Sequence, residues 1–182
     1  MKKAMTMLEL IVALSLTALV MVGLFHMDVF ARFRLMSSER RTVVQNEASL
    51  ILEHMTRNCM AAIGNEIMHG SESVIDRIPG GVRVYVDAGD GQWGTAGDHW
   101  IQYELRGNNL IYCSNVPCAA NNQQTLSSRV FAFDATNPPN PLQSNFLTVG
   151  VETRFNPARP VADDNPRIIM NTSIPLPSVT TR

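Results

Sequence analysis

Residues 10–25 read LIVALSLTALVMVGLF, a run with no charged residue and no proline. Apolar residues flank it on both sides, so it is about as long as the roughly 20 residues that span a bilayer as a helix. Leu, Ala and Met dominate and favour helix, and no proline occurs before Pro79. Such a segment is covered by lipid or by other apolar chains, and every other element must be arranged around it. Lys2 and Lys3 precede it, which favours a cytoplasmic N-terminus with the rest of the chain on the other side. A secretory signal is a poorer fit. Its core is about 7–15 residues and ends in a small-x-small cleavage site, and none follows here. A plain anchor explains the length but not Glu9, because a carboxylate within a span costs about 2.5–3.5 kcal/mol on insertion scales.

The stretch AMTMLELIVALSLTAL resembles the start of type IV prepilins and type II secretion pseudopilins. In that family a short basic leader ends in a small residue, usually Gly, and a prepilin peptidase cuts after it. The new N-terminal residue is methylated, and Glu stands at the fifth position. The resemblance implies cleavage between Ala4 and Met5, which makes Glu9 the fifth residue of the mature chain. Thr6, Leu8 and Leu10 also fall where the family has similar residues. Ala4 in place of Gly is the one departure. The resemblance implies that Glu9 pairs with the N-terminal amine of an adjacent subunit, and a buried carboxylate is tolerated when a cation meets it. The implied partners are other pilins or pseudopilins in a filament, the prepilin peptidase and an inner-membrane assembly platform. The implied location is the bacterial inner membrane, single-pass, with the head outside the cytoplasm. Placing the chain among J-type minor pseudopilins or W-type minor pilins rests on layout alone.

After Met27 the pattern turns amphipathic. Val44, Ala48, Ile51, Met55, Cys59 and Ala62 recur at helical spacing, which predicts one long helix from Thr6 to Ile63. A stop is expected at Gly64-Asn65, with a bend at Ser37 and Ser38. Arg32, Arg34, Arg40 and Arg41 form a basic patch, read either as a contact for anionic headgroups or acidic neighbours or as a solvated helix face. From about residue 78 short alternating runs replace the helical period. GVRVYVDA, HWIQYELRGNNLIYC, SSRVFAFDA, NFLTVGVETRFNP and NPRIIMNTSIPLP read as strands and hairpins. The expected class is α+β, a long N-terminal helix packed on an antiparallel sheet. The expected divisions are a leader at 1–4, a membrane or filament-core helix at 5–30, an amphipathic helix at 31–64 and a β-rich head at 65–182.

The formal net charge is −1, which gives no basic field for nucleic acid, and none is predicted as a partner. No lysine follows Lys3, which excludes a P-loop or Schiff-base lysine in the head. His26, His54, His69 and His99 share no metal-ligand spacing, and G-x-S-x-G is absent, so no catalytic residue and no enzymatic role is expected. Cys113 and Cys118 in YCSNVPCAAN read as a small disulfide loop in an oxidising compartment, and Cys59 as a small buried apolar group. Asp87, Asp90 and Asp98 in DAGDGQWGTAGD are the candidates for Ca²⁺. Their spacing departs from the EF-hand pattern, and a polar turn explains them as well. No other cofactor is expected. Trp93, Trp100, Tyr103, Tyr85 and Tyr112 gather around the first hairpins, where they serve a sheet core or a carbohydrate or DNA surface. The exposed-surface reading supports an alternative function, an anchored head that binds a secreted substrate, a glycan or DNA.

Overall fold

The computed structural model describes residues 6–62, 75–87, 94–136 and 146–176. Helix α1 spans Met7–Cys59, 53 residues, and eight strands follow: β1 (Ile75–Ile78), β2 (Gly81–Val86), β3 (His99–Arg106), β4 (Asn109–Cys113), β5 (Gln123–Ser127), β6 (Val130–Thr136), β7 (Phe146–Arg154) and β8 (Arg167–Pro175). All pairings are antiparallel. The class is therefore α+β, with one long apolar N-terminal helix. The chain divides into two compact units, Met1–Glu39 and Arg40–Arg182.

The strands form two sheets rather than the single one expected. The first has the order β1-β2-β3-β4-β5 and the second β6-β7-β8. The change of sheet falls at residues 128–129. Ser127 Oγ accepts from the Arg129 amide, and Arg129 O then accepts from the Arg154 amide at the end of β7. The chain is thereby handed from the edge of one sheet to the other. Tight turns join β1 to β2 and β3 to β4. Gly107, at φ 63°, makes the β3–β4 turn in a conformation that L side chains rarely adopt. Gly81 opens β2 where a Cβ would collide with the Tyr103 carbonyl.

α1 is continuous helix through Ser37 and Ser38 and ends at Cys59 rather than Ile63. The early end has a local cause. The Ala62 amide turns back to Cys59 O, and Ala62 then bridges to Val86 of β2. The expected stop at Gly64-Asn65 lies outside the described residues. The apolar stripe does what its period predicts. Val44, Ala48, Met55 and Cys59 are fully buried, with Ile51 nearly so. From Ile51 onward they join one cluster with Val82, Val84, Ile101 and Tyr103 of the first sheet and Leu147, Val149 and Val151 of the second.

Polar ties hold this part of the helix in place. Arg129 and Ser127 bond to the Glu47 carboxylate, and Thr153 Oγ1 donates to Val44 O. Arg40 donates to Asp164 O and lies over the Phe155 ring. Burial sets the energetic scale, and truncating a filled core side chain costs about 2–5 kcal/mol. Met55→Ala should destabilise the head by that amount in denaturant unfolding, whereas Leu50→Ala, at a position 64% exposed, should change it by less than about 1 kcal/mol.

Candidate functional site

The apolar half of α1 is the most distinctive surface of the chain. Every large apolar side chain between Met7 and Met36 is at least 49% exposed. The helix is long and apolar enough to cross a membrane. Its hydroxyls are satisfied internally. Ser15 Oγ bonds to Ile11 O and Val12 O, at 3.0 and 2.9 Å. Thr17 Oγ1 bonds to Ala13 O at 2.8 Å. Neither side chain needs water or a partner, as a lipid-facing or chain-facing surface requires.

Glu9 sits in the first turn, and its local geometry explains part of its presence. Its Oε2 accepts from the Thr6 amide at 2.9 Å and from Thr6 Oγ1 at 3.1 Å. In return the Glu9 amide lies 3.3 Å from Thr6 Oγ1. This is a reciprocal capping box, in which N-cap and N3 side chains satisfy each other's orphan amides. Among the described residues both bonds to the carboxylate go to Oε2, and Oε1 accepts none. The T-x-x-E spacing before an apolar run was the sequence signal for this box, and it was not used in predicting Glu9's role. Ala4 and Met5, the expected processing residues, lie outside the described residues.

The basic patch resolves into separate contacts. Arg32 pairs with Asp28 one turn earlier at 2.9 Å, and Arg34 lies over Phe30. Arg40 belongs to the head, where it meets Asp164 and Phe155.

In the head, Cys113 and Cys118 lie at disulfide distance with Cα atoms 5.6 Å apart. Asn122 organises the enclosed loop, donating to Asn115 O and Pro117 O while accepting from the Ala119 amide. The loop borders a cavity of about 440 Å³ on the first sheet, together with Arg83, Gln102, Glu104 and Arg106. Arg83 Nε donates to Gln102 Oε1, and Gln102 Nε2 and Arg106 both donate to Glu104 Oε2. The bond from Arg106 holds the Glu104 carboxyl below its usual range. The wall is thus already internally bonded.

Of the three calcium candidates, Asp87 and Asp98 are among the described residues. Asp98 Oδ2 accepts from the Thr95 amide at 3.0 Å, the bond of a polar turn. Asp90 lies outside the described residues. Among those described, Asp87 and Asp98 included, no three His, Cys, Asp or Glu side chains gather as a metal site.

The aromatic residues divide between the two faces of the first sheet. Tyr85 and Trp100 meet edge to face with centroids 5.2 Å apart. Tyr103, fully buried, pairs across strands with Tyr112 on the face toward α1. Trp93 lies outside the described residues. The inner pair meets a residue that sequence spacing did not single out. His54 Nδ1 lies 3.1 Å from Tyr103 Oη, and the imidazole packs edge to face on Tyr112 with centroids 4.8 Å apart. One turn later Asn58 donates to His54 O. Burial pushes the Tyr103 hydroxyl up, so it keeps its proton beside the imidazole. Burial, with Arg57 nearby, lowers the His54 pKa from its ordinary 6.5. Burial likewise raises the Cys59 thiol to about 12, which leaves it protonated and inert as nucleophile or ligand. The chain matches no family model, no curated protein and no solved structure.

The histidine yields a pH prediction. Because folding lowers the His54 pKa, the unfolded chain binds more protons near neutrality. His54 therefore contributes stability above about pH 6.5 that is lost as pH falls through its lowered folded value. Thermal unfolding should show stability rising from pH 5 to 7, and His54→Gln should flatten that rise. The contribution of Glu104 has the same sign but falls below its ordinary 4.5, outside this window.

Proposed function

We propose that the chain is a structural subunit of a pilin-like filament, either a minor pilin or a minor pseudopilin. It is inserted in the bacterial inner membrane as a precursor, cut after Ala4, and assembled through α1. The observation that carries this reading is the pairing of a wholly exposed apolar helix with an acid placed at its first turn. As a precursor the apolar surface lies in lipid with the head on the far side, and in the filament neighbouring helices cover it.

The capping box fits this reading in a specific way. It supplies Oε2 with two donors from the same chain, which lowers the cost of holding the carboxylate at the edge of an apolar medium. Oε1 remains for a cation, and the N-terminal amine of an adjacent subunit is the group that assembly would bring there. Correct register between subunits would then be favoured by that pair. The implied partners are other subunits of the same kind, a prepilin peptidase and a membrane platform. A head that binds a secreted substrate, a glycan or DNA is the second reading, supported by the cavity beside the disulfide loop.

Two substitutions separate capping from charge pairing. Glu9→Gln keeps a capping-box acceptor but removes the charge. Glu9→Ala removes both and weakens the helix start by about 0.5–2 kcal/mol, the usual loss of a cap. Both variants should insert in the membrane, and both should fail to enter filaments. Normal incorporation of Glu9→Gln alongside failure of Glu9→Ala would reduce Glu9 to a helix cap and remove its assembly role.

A further inference from the structure

A cavity of about 370 Å³ lies between α1 and β5, and every residue that lines it belongs to the unit Arg40–Arg182. Its size falls within the range of small-molecule sites, roughly 300–1,000 Å³. Ile51 is part of the apolar cluster of the head, and Leu126 packs against that cluster while staying half-buried. Leu50 faces the same space yet is 64% exposed. These three side chains give the cavity an apolar wall that the head itself covers only in part.

The polar side of the cavity carries an unbalanced charge. Arg83, Arg106 and Arg129 of the head each meet an acid, at Asp76, Glu104 and Glu47. Among the described residues Arg57 has no acid partner. Its charge is felt at the His54 ring, where it adds to burial in lowering the pKa. Glu53 also lines the cavity, but among the described residues no acid offsets Arg57 at that ring. His54 Nδ1 is committed to Tyr103 Oη at 3.1 Å. Nε2 has the Asn58 amide 3.5 Å away, and that amide makes its better bond to His54 O at 2.8 Å. Nε2 therefore keeps its capacity for a ligand.

We infer that this cavity binds an organic monocarboxylate with a short apolar body. The Arg57 guanidinium takes the carboxylate, and Leu50, Ile51 and Leu126 cover the body. Glu53, one turn before Arg57, repels a second negative charge, which favours a monoanion over a phosphate ester or a dicarboxylate. The bound carboxylate offsets the Arg57 charge at His54. The other groups facing that ring are Asn58 of α1, Tyr103 of β3 and Tyr112 of β4. Both tyrosines stay protonated, because burial raises them, and β5 brings only Leu126 to the cavity. Binding therefore raises the His54 pKa from its lowered free value and takes up a proton from solvent. The imidazolium donates from both nitrogens, so Nε2–H adds a bond to the carboxylate. Affinity rises as pH falls through the bound-state pKa, until the ligand itself protonates at about pH 4. The inference concerns the head alone and does not rest on the filament reading.

The test uses the full chain in non-ionic detergent micelles and equilibrium dialysis of labelled N-acetyl-leucine, with empty micelles as the blank. A dissociation constant of about 1 mM is expected at pH 7. N-acetyl-leucinamide has the same body without the charge, and acetate the charge without the body. Each should bind at least about tenfold more weakly. Arg57→Gln should lose about tenfold, and Leu50→Asn, at an exposed position, about threefold, while Arg41→Gln should change nothing. Lowering the pH from 7 to about 5.5 should tighten binding about threefold. Ring NMR should show the His54 pKa rising with ligand, and His54→Gln should erase the pH dependence. Absence of binding at about 20 mM would overturn the site. So would equal binding of acid and amide, or equal binding by Arg57→Gln and the wild-type chain. Acetate binding as tightly as N-acetyl-leucine would reduce the site to an adventitious ion only. A His54 pKa unmoved by ligand would overturn the coupling. Hexanoate decides the source. Tighter binding than N-acetyl-leucine assigns a free aliphatic acid and weaker binding the terminal carboxylate of a peptide, and both results uphold the monocarboxylate.

Discussion

One helix with two unlike halves constrains everything else in the chain. Residues 40–59 give the head its central apolar stripe, and their burial among both sheets ties the strands together. The preceding residues of the same helix leave apolar side chains uncovered along their length. An isolated soluble protein rarely exposes apolar patches beyond a few hundred Å². At roughly 1.5–3 kcal/mol for each large apolar side chain moved out of water, this half-helix is the strongest drive toward another phase that the chain has. Lipid and a bundle of like helices are the two media that satisfy it.

Polar bonds fasten residues 40–47 of α1 to the β structure. Glu47, Val44 O and Arg40 each bond to a different part of the β structure, at Ser127 and Arg129, at Thr153, and at Asp164. The loop carrying Asp164 is itself fastened by Asn165, nearly fully buried, whose amide donates to Asn156 O, Arg159 O and Pro160 O. Such ties add modest stability singly, about 0.5–1.5 kcal/mol for a typical bond. Their effect is to fix residues 40–47 of α1 in register with the strands they meet. His54 completes the contact with its Nδ1 within hydrogen-bond distance of the Tyr103 hydroxyl.

Much of this was legible from residue types. The 3.6-residue period of Val44, Ala48, Ile51, Met55 and Cys59 marked the buried face, alternation marked β2, and strand-like runs between turns marked β3, β4, β6, β7 and β8. β1 and β5 were missed for a physical reason. IDRI and QQTLS are short, polar edge segments with one or two inward residues each, so they carry almost no period. The division into two sheets was not legible, because it depends on Ser127, Arg129 and Arg154 meeting across the chain. The proximity of Cys113 and Cys118 followed from their spacing. The His54 contacts did not, since Tyr103 and Tyr112 reach it only through the pairing of β3 with β4. The Thr6–Glu9 box was readable from four consecutive residues.

The account depends most heavily on where the mature chain begins. Cleavage after Ala4 leaves Thr6 and its capping partner at the second and fifth positions, so the apolar helix starts almost at the terminal amine. Any other start separates Glu9 from the amine that the filament reading places beside it. Intact-mass and fragment mass spectrometry of the chain recovered from the cells that express it measures this directly. The account predicts a chain beginning at Met5 with a methylated amine. A chain that retains Met1, or one cut after the apolar run, would contradict it.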